Sequence, residues 1–146
     1  WSLLKKNKEL FEFFKFMIAY RKKHPVIRKK LDNAVCGMEG MHAHDVNADR
    51  MEVSQNAKTL AVSFAGYDRK KCKDDLVYVA VNAYWEEVRI TLPNLANHGA
   101  WYLSVDTYGD ENGKYCYEEG EEIRIDHEYV MKPRSIVVFT GRQVLR

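Results

Sequence analysis

The sequence has few cysteines and no long apolar run, and both shortages exclude a class of protein. Its three cysteines, Cys36, Cys72 and Cys116, are far apart, odd in number and in no C-x-x-C pair. This usage argues against a disulfide framework and favours a reducing compartment, so we expect a cytoplasmic protein. No stretch approaches the roughly 18 apolar residues of a membrane span, and no secretory signal is visible. We therefore expect no membrane partner.

Charge of one sign does not dominate the sequence either. The 23 lysines and arginines against 21 aspartates and glutamates leave a formal net charge of +2. This balance gives no electrostatic reason to expect nucleic acid as a partner. Basic residues do cluster between residues 5 and 30. We interpret them as the solvated flanks of a helix, with a nucleic-acid surface as the alternative.

The first 23 residues predict a long helix that is apolar over most of its circumference. One narrow face holds Lys8, Glu12, Lys15, Ala19 and Lys22. Apolar residues cover an arc of about 220°, well beyond the roughly 100° stripe of a surface helix, so this helix must be covered on two sides. His24-Pro25 ends it, and Val26–Leu31 is predicted to add a short turn. Because the chain begins at Trp1 rather than Met, we expect the covering partner to lie upstream.

Beyond residue 56 the apolar period changes to two, which is typical of β-strands. Leu76–Tyr84 is apolar on both faces, as expected of a central strand, and Val88–Leu92 alternates cleanly. The other predicted strands are Leu60–Ala65, Trp101–Asp106, Lys114–Tyr117, Ile123–Asp126 and Ile136–Thr140. The predicted turns are Tyr67–Asp75, Pro93–Gly99, Gly109–Gly113 and Glu118–Glu122. Asp32–Asn56 is interpreted as a loop with one or two short strands.

Short strands every 8 to 12 residues or so, with no helix between them, indicate a sandwich or barrel. The predicted fold class is therefore mainly β. We expect an antiparallel two-sheet β-sandwich of the Greek-key type, preceded by one long N-terminal α-helix.

Few residues are candidates for chemistry. His42, His44 and Asp45 could hold a metal, but a zinc site needs three or four supported ligands, so ordinary loop histidines are favoured. The carboxylates occur in four groups that we interpret as solvated turns: Asp74-Asp75, Glu86-Glu87, Asp110-Glu111 and Glu118–Glu122. No Ser-His-Asp arrangement or phosphate-binding glycine loop can be placed. We predict no catalytic, cofactor-binding or metal-binding residue, and no cofactor.

Aromatic residues are the remaining candidates. Exposed flat rings can stack on sugars, whereas aromatic residues in a sandwich usually belong to the core. Tyr84, Trp85 and Trp101 are the candidate substrate-binding residues. Trp85 continues the apolar face of Val77–Ala83, however, so a buried position is expected for it.

Four segments resemble one family. Glu9–Arg28, ELFEFFKFMIAYRKKHPVIR, resembles the last barrel helix of isoamylase- and pullulanase-type glycogen debranching enzymes in the α-amylase superfamily, including an RKxHP ending. Asp74–Pro93, DDLVYVAVNAYWEEVRITLP, is similar to that family's DDxxYVAxNAYWExxxFxLP. TLAVSFAG at Thr59–Gly66 and PRSIVVF at Pro133–Phe139 fit the same order. Gly37–Val53 departs from it, because Met41-His42-Ala43-His44 stands where the family often has an aromatic-His-Gly sequence.

The resemblance implies a parent enzyme whose (β/α)8 barrel hydrolyses α-1,6 branch linkages of glycogen or starch-like glucans. Its catalytic carboxylates would lie upstream, so no residue here inherits those roles. Residues 1–30 would be the terminal helix of the catalytic barrel and residues 31–146 the C-terminal β-sandwich domain. This explains the helix, which would contact the barrel on one side.

Three functions stay open at this point. The first is a non-catalytic domain that stabilises the catalytic barrel of the same polypeptide. The second is a carbohydrate-binding module that tethers the enzyme to α-glucan through exposed aromatic residues. The third is a self-sufficient sandwich of unrelated function. Without its barrel, the fragment is expected to form a homodimer through the N-terminal helix or to leave that helix poorly protected.

Overall fold

The computed structural model describes residues 2–48, 50, 57–96 and 98–143. The described helices and strands are α1 (Ser2–Lys6), α2 (Lys8–Lys23), β1 (Met41–His44), β2 (Thr59–Asp68), β3 (Lys73–Asn82), β4 (Val88–Thr91), β5 (Ala100–Asp106), β6 (Ile123–Ile125), β7 (Glu128–Met131) and β8 (Ser135–Arg142). A 3₁₀ turn at Pro25–Ile27 follows α2. Neither helix in this part of the chain is long and apolar enough to cross a membrane.

All strand pairs that the structure describes are antiparallel, and they form two sheets. The larger sheet has the order β1-β2-β3-β8-β5-β6, and the smaller one consists of β4 and β7. The longest ladder joins β2 to β3 over ten residue pairs, from Thr59 opposite Asn82 to Asp68 opposite Lys73. The prediction of a mainly β chain with two antiparallel sheets and an N-terminal helix is confirmed.

The main core lies between the two sheets. Tyr78 and Phe139 are paired on neighbouring strands, and both are fully buried on the inner face of the larger sheet. Ile90 and Met131 on the smaller sheet and Leu92 just beyond β4 close this core from the other side. Fully burying an apolar side chain contributes about 1.5–3 kcal/mol, so this layer is the main source of stability.

A second core lies on the outer face of the larger sheet, where α2 crosses it. Side chains alternate between the faces of a strand, so Val77 points away from its neighbour Tyr78. Val77, Val105 and Val138 form a buried apolar surface there. Against it lie four helical side chains, Phe13, Phe16, Met17 and Tyr20. The sheet therefore covers one face of the helix.

The helical segment is interrupted once. Asn7 lies between α1 and α2 with a non-helical backbone (φ −113°, ψ 33°), which divides the single long helix expected from the apolar pattern, although backbone hydrogen bonds from Asn7 to Leu3 and from Phe11 to Asn7 continue across it. The predicted end at His24 is confirmed, and Pro25–Ile27 supplies the short turn that was expected to follow.

Some predicted strand boundaries were wrong. The predicted turn Tyr67–Asp75 is too wide, because only residues 69–72 separate β2 from β3. The predicted strand Lys114–Tyr117 is reduced to one bridge between Cys116 and Val105. The strand β7 was not predicted, because its alternation extends over four residues only. Part of the predicted loop Asp32–Asn56 lies outside the described residues, and β1 lies within it.

Candidate functional site

The tandem carboxylates Asp74 and Asp75 join the helix and a loop to the sheet. Asp75 accepts hydrogen bonds from His24 Nδ1 at 2.6 Å and from the backbone N–H of Val26 at 3.1 Å. Asp74 accepts from the backbone N–H groups of Val35 and Cys36, both at 2.8 Å. Both aspartates are buried, so the interpretation of this pair as a solvated turn was wrong. Buried carboxylates need such donors to offset their desolvation.

A hydroxyl chain makes the second link between α2 and the sheet. The Tyr20 hydroxyl lies 2.8 Å from Thr140 Oγ1, which lies 2.7 Å from Ser104 Oγ. Burial raises the pKa of Tyr20 well above its usual range, although the two hydroxyl contacts partly oppose the shift. The phenol therefore stays protonated at neutral pH. We call Tyr20, His24, Asp75 and Thr140 the helix junction.

The opposite side of α2 is apolar and exposed. Phe14 and Ile18 are 57% and 56% exposed, and Leu10 and Phe11 lie on the same uncovered side of the helix. We call these four residues the outer helix face. Isolated exposed apolar side chains are ordinary, but four on one helix form a patch of the kind found at interaction sites.

The sheet adds a second uncovered row beside the helix. Leu60, Val81 and Ile136 are directly paired across β2, β3 and β8. Directly paired residues of antiparallel strands share a face, and Val81 shares its face with Val77, which α2 covers. Leu60 and Ile136 are nevertheless exposed. The helix-bearing side of the domain therefore presents more apolar surface than α2 can cover.

The outer face of the smaller sheet carries an exposed ion pair. On the outer face of the smaller sheet, Arg89 Nη1 lies 2.8 Å from Glu128 Oε2. Both side chains are largely exposed, as is usual for a solvated sheet face.

The turn after β3 holds two of the three candidate substrate-binding residues. Tyr84 and Trp85 have ring centroids 4.2 Å apart at an angle of 40°. Trp85 is 67% exposed, so the expectation of a buried Trp85 was wrong. The alternation that predicted its burial stops at Asn82, where the strand ends and the chain turns.

The third candidate, Trp101, lies in the main core. Its side chain is 2% exposed, and its indole N–H donates to the carbonyl of Pro93 at 2.8 Å. A ring covered on both faces has no surface for a sugar. The structure therefore separates Trp101 from Tyr84 and Trp85, and only the latter two form a candidate site.

The histidine pair of β1 is engaged within the protein. His42 Nδ1 lies 2.9 Å from Glu39 Oε2, and His44 Nε2 lies 2.8 Å from Ser63 Oγ. Asp45 accepts a hydrogen bond from the backbone N–H of Val46. No group of three or more metal-ligating side chains converges within the described residues.

The comparisons with known proteins agree with this architecture. The family model described as isoamylase, C-terminal, matches residues 29–140, which is most of the chain and nearly all of the sandwich. No curated protein matches the chain. The chain belongs to the family of isoamylase C-terminal domains. It is thus a domain of an isoamylase-like enzyme, and the resemblance seen in the sequence is confirmed.

Proposed function

We propose that this chain is the non-catalytic C-terminal domain of an α-1,6-glucan debranching glycoside hydrolase, where it covers and stabilises the catalytic (β/α)8 barrel of the same polypeptide. One observation carries the proposal. The helix α2 is fixed to the sheet on one side and exposes an apolar face on the other. A helix of this kind is shared between two bodies, and an isoamylase-like enzyme supplies the second.

The helix junction supports this role. His24 and Asp75 are both buried, and the Tyr20 hydroxyl reaches Thr140 on β8. These contacts hold α2 in one orientation, so the outer helix face is presented as part of a firm surface. We therefore propose that residues 1–30 belong to the barrel and also anchor the sandwich to it.

The distribution of apolar surface supports a barrel on that side. The outer helix face and the row of Leu60, Val81 and Ile136 flank the same side of the larger sheet. Arg89 and Glu128 give the opposite side the character of a solvated surface. A large partner that docks on the helix-bearing side would remove both apolar groups from water, which is the main favourable term in association.

The carboxylates support a non-catalytic role. Retaining glycoside hydrolysis needs two carboxyl groups about 5–5.5 Å apart beside a substrate cleft. Asp74 and Asp75 are occupied by donors from the loop and the helix. Asp106 accepts from the Tyr129 hydroxyl at 2.6 Å and from the backbone N–H of Tyr108 at 2.9 Å. These buried carboxylates thus hold the fold together.

We also propose that the enzyme acts in the cytoplasm. All three cysteines are free thiols. This usage fits a reducing compartment.

The test is to produce this chain and the rest of its polypeptide as two pieces and to measure their assembly. We expect the remainder alone to melt at a lower temperature, and we expect this chain to restore its stability and debranching activity. The double variant Phe14→Glu, Ile18→Glu should lose that effect. Val130→Glu, on the outer face of the smaller sheet, is the matched control and should restore activity like the parent chain.

Two results would refute the proposal. One is a remainder that is fully stable and active without this chain. The other is a Phe14→Glu, Ile18→Glu chain that assembles as well as the parent. The first would mean that this domain does not stabilise the barrel, and the second that the outer helix face does not contact it.

A further inference from the structure

We propose that the turn formed by Tyr84 and Trp85 binds α-glucan chains on the side of the enzyme that carries the catalytic cleft. The binding itself can be tested on this chain alone. Its position relative to the cleft rests on the proposed function.

The turn is held rigidly from beneath by Asn82. This residue is buried, and its side-chain amide donates to the carbonyls of Glu86 at 2.9 Å and Lys132 at 3.0 Å. Its side-chain oxygen accepts from the backbone N–H of Tyr84 at 3.0 Å. The carbonyl of Tyr84 accepts from the backbone N–H of Arg134 at 3.0 Å. A ring on such a turn is already ordered before binding, which lowers the entropic cost of capturing a ligand.

Trp85 is the residue that would contact the sugar. Its side chain is mostly exposed, whereas Tyr84 lies against it and is covered in turn by the Lys58 ammonium, 3.6 Å from the Tyr84 ring centroid. The same ammonium lies 6.0 Å from the Trp85 ring centroid, and most of the indole surface faces solvent. A flat aromatic surface suits the apolar C–H face of a glucose ring.

Two exposed carboxylates directly follow the ring in the sequence. The Glu86 carboxylate directly follows Trp85, is exposed and makes no ion pair with a described residue, so it can accept hydrogen bonds from hydroxyl groups. The neighbouring Glu87 is paired with Lys132, so its charge is balanced. Hydrogen bonds to a carboxylate are stronger than neutral ones. Lys58 and Glu86 bring one charge of each sign to the turn, so the site has no net charge that would select a charged ligand, and both groups can form hydrogen bonds with hydroxyl groups.

The two ends of α2 lie at opposite ends of the larger sheet. At the C-terminal end of the helix, His24 contacts Asp75 near the start of β3. At its N-terminal end, the Glu9 carbonyl accepts from the Tyr115 hydroxyl at 3.3 Å. The Tyr115 carbonyl in turn accepts from the backbone N–H of Asp106, at the end of β5.

The same end of the sheet carries the aromatic turn. Asp106 pairs with Val137 and Asn82 pairs with Ser135, so β3 and β5, which flank β8, finish at the same end of the sheet. Tyr84 and Trp85 follow Asn82, and they therefore lie toward the N-terminal end of α2. In a (β/α)8 barrel the N-terminal ends of the helices are on the face that holds the active site. A glucan chain on Trp85 would thus run over the catalytic side.

Affinity electrophoresis in native gels with increasing glycogen tests the binding. We expect glycogen to retard the chain, maltoheptaose to compete and cellohexaose not to compete. Trp85→Ala should weaken the interaction about tenfold, and Trp85→Tyr should retain most of it. Val130→Ala removes an exposed apolar side chain from the outer face of the smaller sheet, away from both the turn and the outer helix face, and is the control. Unchanged mobility in glycogen, or a Trp85→Ala chain retarded like the parent, would overturn the proposal.

In the full-length enzyme, Trp85→Ala should raise KM for glycogen several-fold and leave kcat unchanged. Hydrolysis of a short branched oligosaccharide, too small to reach from the cleft to the turn, should not change. An equal effect on both substrates, or a lower melting temperature of the enzyme, would show that Trp85 contacts the barrel rather than glucan. The Phe14→Glu, Ile18→Glu result is independent of these outcomes, so failure of the barrel-docking role can be recognised separately.

Discussion

His24 and Asp75 form a buried hydrogen bond of 2.6 Å between the end of the N-terminal helix and the first residues of the central strand β3. The two residues are 51 positions apart in the sequence. Asp75 also accepts the backbone N–H of Val26. One carboxylate therefore fixes both the end of α2 and the 3₁₀ turn that follows it.

Asp75→Ala should destabilise the chain strongly. The substitution leaves two buried donors without an acceptor, which costs about 2–5 kcal/mol in the free energy of unfolding. Denaturant unfolding followed by circular dichroism measures the change. Asp126→Ala is the control, because its side chain is almost fully exposed and a change within about 0.5 kcal/mol is expected. Equal stability of the two variants would mean that the helix junction does not hold the helix.

The two candidate tryptophans should behave in opposite ways on truncation. Trp101→Ala leaves a cavity in the main core and should cost about 3–5 kcal/mol. Trp85→Ala removes a mostly exposed ring and should melt within a degree or two of the parent, since surface substitutions change stability by about 0.5 kcal/mol or less. Thermal melts of both variants provide the comparison. A large loss of stability for Trp85→Ala would place this ring in the fold rather than on a binding surface.

The fold class followed from local patterns that the structure preserves. The alternating and doubly apolar segments became β2, β3 and β8, because each strand buries a face that its own sequence marks as apolar. The stop at His24-Pro25 is likewise a local property of proline. The short strand β7 was missed since four residues with exposed, polar neighbours give little alternation to detect.

The candidate site was harder to predict because it depends on contacts between distant residues. Asp74 and Asp75 look like any solvated acidic pair until the fold brings His24 and the loop around Val35 to them. Trp85 continues the two-residue spacing of the apolar residues in β3. The strand ends at Asn82, however, so this spacing no longer predicts which side chains are buried. Burial of such groups is decided by tertiary structure, which propensity and periodicity do not encode.

The chain alone should release no reducing sugar from glycogen or pullulan. Its buried carboxylates are committed to structural hydrogen bonds, as at Asp75 and Asp106. A reducing-end assay with a buffer blank measures the activity. Release above the blank that survives further purification would contradict the non-catalytic role.

Cys116 should react slowly with iodoacetamide because the fold protects its thiol. Burial, with a smaller contribution from Glu118, raises the pKa of Cys116 from 9.0 to about 11. The exposed Cys72 should therefore be alkylated first at pH 8, as peptide mapping would show.

The raised pKa of Cys116 also affects stability, because the folded state holds the thiol proton of Cys116 more tightly than the unfolded chain does. The contribution of this pKa shift to the free energy of unfolding is complete below about pH 9 and is lost as the pH rises toward 11. The Cys116→Ala variant should therefore lack this pH-dependent loss of stability.

In the absence of the barrel, the chain should associate with itself through the outer helix face. Phe14 and Ile18 are more than half exposed, and pairing two copies would remove them from water while the helix junction stays intact. Light scattering should show dimers that dissociate in the Phe14→Glu, Ile18→Glu variant. Hydrogen exchange of Val77–Val81 in β3 should be unchanged there, because those amides lie in the central ladder. A parent chain that stays monomeric, with helix amides as protected as those of β3, would show that the sandwich alone stabilises the helix and that the exposed face needs no partner.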